Sequence, residues 1–151
     1  MQKIRAAVIG VGYLGRFHAQ KYAQAAGCEL VAVADSRPEA REALAAELKI
    51  RAVSDYRALL GSVDAVSVVT PTPAHFAIAR DFLEAGAHVL VEKPITDTPA
   101  QARELIALAA SVKRILQVGH LERFNPAVVA AGKIATTPRK ARPPHRRPSN
   151  L

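Results

Sequence analysis

Short apolar runs alternate along this chain with longer stretches of helical period. Residues 6–9 read Ala-Ala-Val-Ile, residues 30–34 Leu-Val-Ala-Val-Ala, residues 65–69 Ala-Val-Ser-Val-Val and residues 88–91 His-Val-Leu-Val. Runs that are apolar at successive positions, rather than every second one, suit strands buried on both faces of a parallel sheet. Residues 50–53 and 114–118 supply two further strands, the first of them short and outermost. Between the strands, residues 13–26, 38–48, 73–84 and 98–111 carry apolar side chains at helical spacing, and residues 55–60 give a brief helix capped by Ser54 or Asp55. Pro38 suits a first helical position, with Ala40, Ala43, Leu44 and Leu48 on the apolar stripe. The helix over 73–84 is predicted to bury Phe76, Ala79, Phe82 and Leu83, and to stop at Gly86. The helix over 98–111 is predicted to bury Ala102, Leu105, Ile106 and Ala109. Strands alternating with helices predict an α/β fold. The fourth strand is expected beside the first, on the side away from the second, giving a doubly wound, mainly parallel sheet of order 3-2-1-4-5-6. Ligands collect at the carboxyl edge of such a reversal.

The loop at that edge is Gly10-Val11-Gly12-Tyr13-Leu14-Gly15. Gly10 permits the tight turn, Gly12 lets the main chain approach a pyrophosphate, and Gly15 lets the next helix approach the first strand. The helix starting at Tyr13 points unpaired N–H groups and the positive end of its dipole at the loop, beside Tyr13 and Leu14. Asp35 stands at the end of the second strand, 20 residues after Gly15, where a carboxylate grips a ribose diol. The flanking strand, the helix and Asp35 together turn a weak glycine pattern into a dinucleotide fingerprint. Asp35 favours NAD, because a carboxylate repels the 2′-phosphate of NADP. Arg37 keeps NADP open, although it reads first as a solvated residue at the start of the next helix.

Two further stretches lie at the same edge. Thr70-Pro71-Thr72-Pro73-Ala74-His75 follows the fourth strand, and its prolines stop the strand while placing Thr70, Thr72 and His75 at the edge as candidate cofactor contacts. His75 also suits a plain first-turn helix position. Glu92-Lys93-Pro94 follows the fifth strand as a charged pair at the mouth of an apolar sheet. It is either a surface ion pair worth less than about 1 kcal/mol, or part of a reactive site. Pro94 suits a cis bond as well as a trans one.

Composition narrows the classes. At 151 residues, half of them apolar, the chain holds one sizeable core, and no run is long enough to span a bilayer. Met1-Gln2-Lys3 leads straight into a strand without a signal-peptide core, so a cytoplasmic protein is expected. Cys28, alone of its kind, excludes an internal disulfide, and no metal site is expected. The net charge of +8 resembles a nucleic-acid signal, but the last 19 residues carry six basic side chains and no acidic one. The charge therefore belongs to the tail rather than to the domain.

Taken together, Ala7-Val8-Ile9-Gly10-Val11-Gly12 with Gly15 and His18, then Thr70-Pro71, then Glu92-Lys93-Pro94, resemble the Gfo/Idh/MocA family of oxidoreductases in order and spacing, over residues 3–132. The run Gly119-His120-Leu121-Glu122-Arg123-Phe124-Asn125-Pro126 resembles most closely the branch acting on nucleotide-activated amino sugars, such as UDP-N-acetylglucosamine 3-dehydrogenases. The resemblance implies hydride transfer from a sugar or nucleotide-sugar hydroxyl carbon to NAD, with NADP also possible. It implies that Lys93 orients the reacting hydroxyl, and that Glu92 holds the cofactor side of the site. Thr70, Pro71 and Thr72 line the riboses, and the segment from Gly119 closes over the nicotinamide. His120 is a candidate for proton transfer, although a lone histidine after a strand is more often a structural hydrogen-bonder. Intact relatives are expected to form homo-oligomers, and neither a membrane nor a nucleic acid is expected as partner.

Family members continue into a second domain. Here residues 1–132 are expected to form the NAD(P)-binding Rossmann domain, and residues 133–151 a basic, proline-rich tail with almost no large apolar side chain, which predicts disorder. The break falls inside a helix the family continues, which predicts a truncated or frame-shifted end and a chain inactive by itself. A second reading is a nucleotide-binding module without chemistry, whose basic tail contacts nucleic acid.

Overall fold

The computed structural model describes residues 2–135, in two units that divide after Gly119. The first unit runs β1 (Ile4–Ile9), α1 (Tyr13–Gln24), β2 (Cys28–Ala34), α2 (Pro38–Leu48), β3 (Arg51–Val53), a 3₁₀ turn (Tyr56–Leu59), β4 (Ala65–Val68), a second 3₁₀ turn (Thr72–Ala74), α3 (His75–Glu84), β5 (His88–Val91), α4 (Pro99–Ser111) and β6 (Leu116–Val118). All six strands are parallel, in the order β3-β2-β1-β4-β5-β6. This is the doubly wound α/β sheet the sequence predicts.

Alternation along the strands divides the core. Val8 and Val33 point into one cluster with Ala19, Leu44 and Ala45, under α1 and α2. Ala7, Ile9, Ala32, Ala34 and the inward residues of β4 and β5 point into the other, with Ile78, Phe82, Leu83 and Leu105 from α3 and α4. Both faces are covered, which is why these strands read as continuous apolar runs.

Two helix faces differ from expectation. The 3₁₀ turn at Thr72–Ala74 delays α3, so its buried stripe is His75, Ile78, Ala79, Phe82 and Leu83. Phe76 is only half-buried, with the Arg80 guanidinium over its ring. In α4, Leu105 and Ala109 are buried, whereas Ile106 is 59% exposed and Ala102 half-buried. Leu108 packs on the core instead, because it lies on the Leu105 side of the helix and Ile106 does not.

The second unit contains a 3₁₀ turn (Leu121–Phe124), begun by His120, and the helix α5 (Pro126–Ala135). Asn125 accepts the Ala127 N–H at 2.9 Å, holding the start of that helix. The expectations for a tail concern residues outside the described ones from residue 136 on. Among the described residues, no helix is long and apolar enough to cross a membrane, and no group of three His, Cys, Asp or Glu side chains is placed to hold a metal.

Candidate active site

An open cleft of about 830 Å³ lies along the carboxyl edge of the sheet in the first unit. Its walls bring together Gly10, Gly12, Tyr13, Leu14, Asp35, Arg37, Thr70, Pro71, Thr72, His75, Glu92 and Lys93. Stretches as far apart in sequence as the glycine loop and the turn after β5 therefore face one space.

The loop is shaped by contacts that only glycine allows. Gly10 has φ +85°, and a Cβ there would stand 2.7 Å from the Val69 carbonyl oxygen. A Cβ on Gly15 would come within 1.8 Å of the Gly10 carbonyl oxygen, so α1 lies directly on the turn. A Cβ on Gly12 would meet, among the described residues beyond its chain neighbours, the Arg37 guanidinium at 3.3 Å. The start of α1 has neither a side-chain cap nor an acidic residue in its first turn. Its leading N–H groups face outward without an intrahelical acceptor.

At the end of β2, the Asp35 side chain is 8% exposed. Its Oδ2 accepts the Val11 N–H at 2.9 Å and its Oδ1 accepts the Arg37 N–H at 2.9 Å. The Arg37 Nε adds a contact at 3.3 Å. Burial pushes the carboxyl up, but the Arg37 side chain, the Arg37 N–H and the Val11 N–H together outweigh it and hold the carboxyl below its ordinary value.

The Thr70 loop and the Glu92-Lys93 turn are joined by His75, which is 1% exposed. Its Nδ1 lies 2.9 Å from the Pro94 carbonyl oxygen and its Nε2 lies 2.8 Å from that of Thr70. A neutral imidazole donates to only one of these; a ring with both protons donates to both. The Lys93–Pro94 peptide bond is cis.

Glu92 and Lys93 do not form a surface ion pair. Glu92 is buried at 7% exposure, its Oε2 accepts the Lys93 main-chain N–H at 3.1 Å, and its Oε1 stands 3.3 Å from His18 Nε2. The Lys93 side chain is exposed along the cleft. His120 belongs to the second unit, where it begins the 3₁₀ turn at Leu121–Phe124.

Sequence reasoning named His18 only as part of the family motif and Ser54 only as a helix cap, and it missed Ser67 and Tyr22 behind Glu92 and the place of Ser54 and Tyr56 along the cleft after β3. Tyr56 donates to Asp81 Oδ2 at 2.7 Å, and burial with that carboxylate pushes its phenol up to about 12. Two signals were present. Ser67 is the single polar residue within an apolar strand, and His18 follows Gly15 by three residues and so shares its sheet-facing side of the helix.

The donor set fits a dinucleotide. An uncapped helix start offers N–H groups to a diphosphate, Asp35 offers acceptors to a ribose diol, and the Thr70 hydroxyl is buried at the cleft wall without a partner among the described residues. Residues 4–120 match the family model described as "Oxidoreductase family, NAD-binding Rossmann fold". Similar proteins include the UDP-N-acetylglucosamine 3-dehydrogenase of Acidithiobacillus ferrooxidans, 48% identical over 128 residues that cover 85% of this chain and 40% of that protein. A solved structure of that enzyme superposes with a TM-score of 0.81 at 46% identity, covering 89% of this chain and 44% of the other. The scyllo-inositol dehydrogenase of Lactobacillus casei, solved with NAD(H) and scyllo-inositol, gives 0.82 at 25% identity, covering 89% and 41%. The chain thus spans about two fifths of the length of the curated relatives it matches.

Proposed function

The chain belongs to the Gfo/Idh/MocA oxidoreductase family, whose matched domain is an NAD-binding Rossmann fold, and from that premise we propose that it is the dinucleotide half of a sugar or nucleotide-sugar dehydrogenase. One observation carries the reading: the glycine loop, Asp35 and the Glu92-Lys93 turn open onto the same cleft. NAD, when bound, accepts a hydride from the substrate carbon.

The chain's own residues have distinct tasks in this reading. The N–H groups at the start of α1 bind the diphosphate, with Gly10, Gly12, Tyr13, Leu14 and Gly15 forming its bed. Asp35 accepts from the adenosine ribose, and Arg37 holds Asp35. Thr70, Pro71 and Thr72 line the riboses, with His75 fixing the loop that carries them. Lys93 presents an ammonium to the reacting hydroxyl and stabilises negative charge that develops on its oxygen. Glu92 holds the main chain beneath Lys93. His120 is a second candidate for proton transfer. Similarity to the Acidithiobacillus ferrooxidans enzyme favours a UDP-linked amino sugar as substrate.

Since the chain spans about two fifths of its relatives' length, it is proposed to bind NAD without turning over sugar by itself. A screen with NAD and UDP-N-acetylglucosamine, free hexoses and inositols, run beside NADH titration, tests this. Binding without turnover is expected. Turnover by this chain contradicts the division of labour, and absence of NADH binding removes the reading. Lys93→Ala is expected to leave NADH affinity largely unchanged.

A further inference from the structure

We propose that His18 is a positioning residue for Lys93, acting through the buried Glu92 carboxylate that it faces at 3.3 Å. The proposal rests on the role given to Lys93 above. It concerns a side chain that does not itself line the cleft.

Glu92 is held from three directions. His18, from α1, faces Oε1. The Lys93 N–H donates to Oε2 at 3.1 Å, and Gly119, at the end of β6, lies so close that a Cβ there would stand 2.6 Å from Oε1. A buried carboxylate is costly unless each oxygen has a partner. Because a carboxylate only accepts, the ring nitrogen facing it carries the proton. On the other side of the ring, Nδ1 lies 3.2 Å from Ser67 Oγ, and Ser67 Oγ lies 2.6 Å from the Tyr22 hydroxyl. Ser67 is fully buried.

One direction of donation satisfies the whole row. Tyr22 O–H donates to Ser67, Ser67 O–H donates to His18 Nδ1, and the remaining ring proton sits on Nε2, the nitrogen 3.3 Å from Glu92 Oε1. Burial pushes the Tyr22 phenol up, which keeps it in the donating form. The row links α1, β4 and the turn after β5, so the place of Glu92 is set by three elements of the sheet and its covering helix. With its charge directed at His18 and at main-chain N–H, the carboxylate is kept off the Lys93 ammonium, which remains free along the cleft. Without His18, the carboxylate turns to that ammonium and pairs with it.

The test compares His18→Leu, which removes both ring nitrogens, with His18→Gln, which keeps a donor toward Glu92 and an acceptor toward Ser67. In each, the rate of Lys93 acylation by a succinimidyl ester is read by peptide mass spectrometry, with exposed Lys21 as internal reference. Lys93 is expected to react several-fold more slowly in His18→Leu and to recover in His18→Gln. An unchanged Lys93 rate in a folded His18→Leu protein overturns the proposal. Should that variant fail to fold, a long-range proton–nitrogen spectrum of the unaltered protein decides. A protonated Nε2 supports the proposal and a bare one overturns it. NADH titration of the same samples separates the two readings, since lost cofactor binding in the unaltered protein bears on the dinucleotide site and leaves the Lys93 rates to judge His18.

Discussion

Asp35 Oδ2 accepts the main-chain N–H of Val11 at 2.9 Å, tying the end of β2 to the glycine loop that follows β1. The same carboxylate holds Arg37 through that residue's N–H and guanidinium. Asp35→Asn keeps an acceptor for Val11 and removes the charge that opposes a 2′-phosphate and anchors Arg37. The preference for NADH over NADPH is expected to fall about tenfold, the size of one charge-assisted hydrogen bond of ~1.5 kcal/mol. Paired titrations with the two reduced cofactors measure it, and an unchanged ratio denies Asp35 its role.

Gly15→Ala places a methyl group 1.8 Å from the Gly10 carbonyl oxygen, so α1 has to separate from the turn. The expected loss is at least the ~1–3 kcal/mol typical of overpacking. Gly27→Ala serves as the control, because a Cβ there meets nothing within 4 Å among the described residues. Urea unfolding of both should separate them clearly, and equal midpoints would refute the close approach.

The ion pair between Arg5 in β1 and Asp64, the residue before β4, predicts an acid response. Hydrogen bonds from the Arg5 side chain and N–H pull the Asp64 carboxyl down to about 2, from an ordinary 3.8. A carboxyl whose value is lower in the folded chain stabilises fully above its unfolded value, and that stabilisation is lost as pH falls toward the folded one. Stability should therefore decline between about pH 4 and pH 2, with Asp35 contributing in the same direction. Asp64→Asn is expected to flatten part of that decline, as followed by thermal melts across the range.

His75→Leu strips the Thr70 and Pro94 carbonyls of their partner in a buried place. The expected cost is ~1–3 kcal/mol, together with weaker NADH binding, because both loops line the cleft. Denaturant unfolding and cofactor titration measure the two effects. Unchanged stability would mean that water replaces the ring at both carbonyls.

Much of this architecture was legible in the residues. Doubly buried strands announce themselves as unbroken apolar runs, and the glycine loop with Asp35 marks the switch point. The stripes of α3 and α4 were harder. Nothing in Thr72-Pro73-Ala74 says that a 3₁₀ turn takes the first residues and leaves His75, rather than Phe76, at the inward position. Likewise Ile106 and Leu108 are both apolar and near the core face, and tertiary packing alone decides that Leu108 is inside. At the site, charge next to charge in Glu92-Lys93 suggests a pair, whereas burial turns the carboxylate toward His18, a partner 74 positions away in the chain.

The central claim is that a dinucleotide's diphosphate rests on main-chain N–H groups at Gly12 and the start of α1. Gly12 has φ −66°, outside the left-handed region that favours glycine, and among the described residues a Cβ there would meet the movable end of the Arg37 guanidinium at 3.3 Å. Gly12→Ala therefore fills the diphosphate bed without straining the fold. Calorimetric titration with NADH is predicted to saturate for the unaltered chain and to lose most of its heat for Gly12→Ala, while the two melting curves coincide. No saturation of the unaltered chain at millimolar NADH, or equal affinity in the variant, would contradict the account.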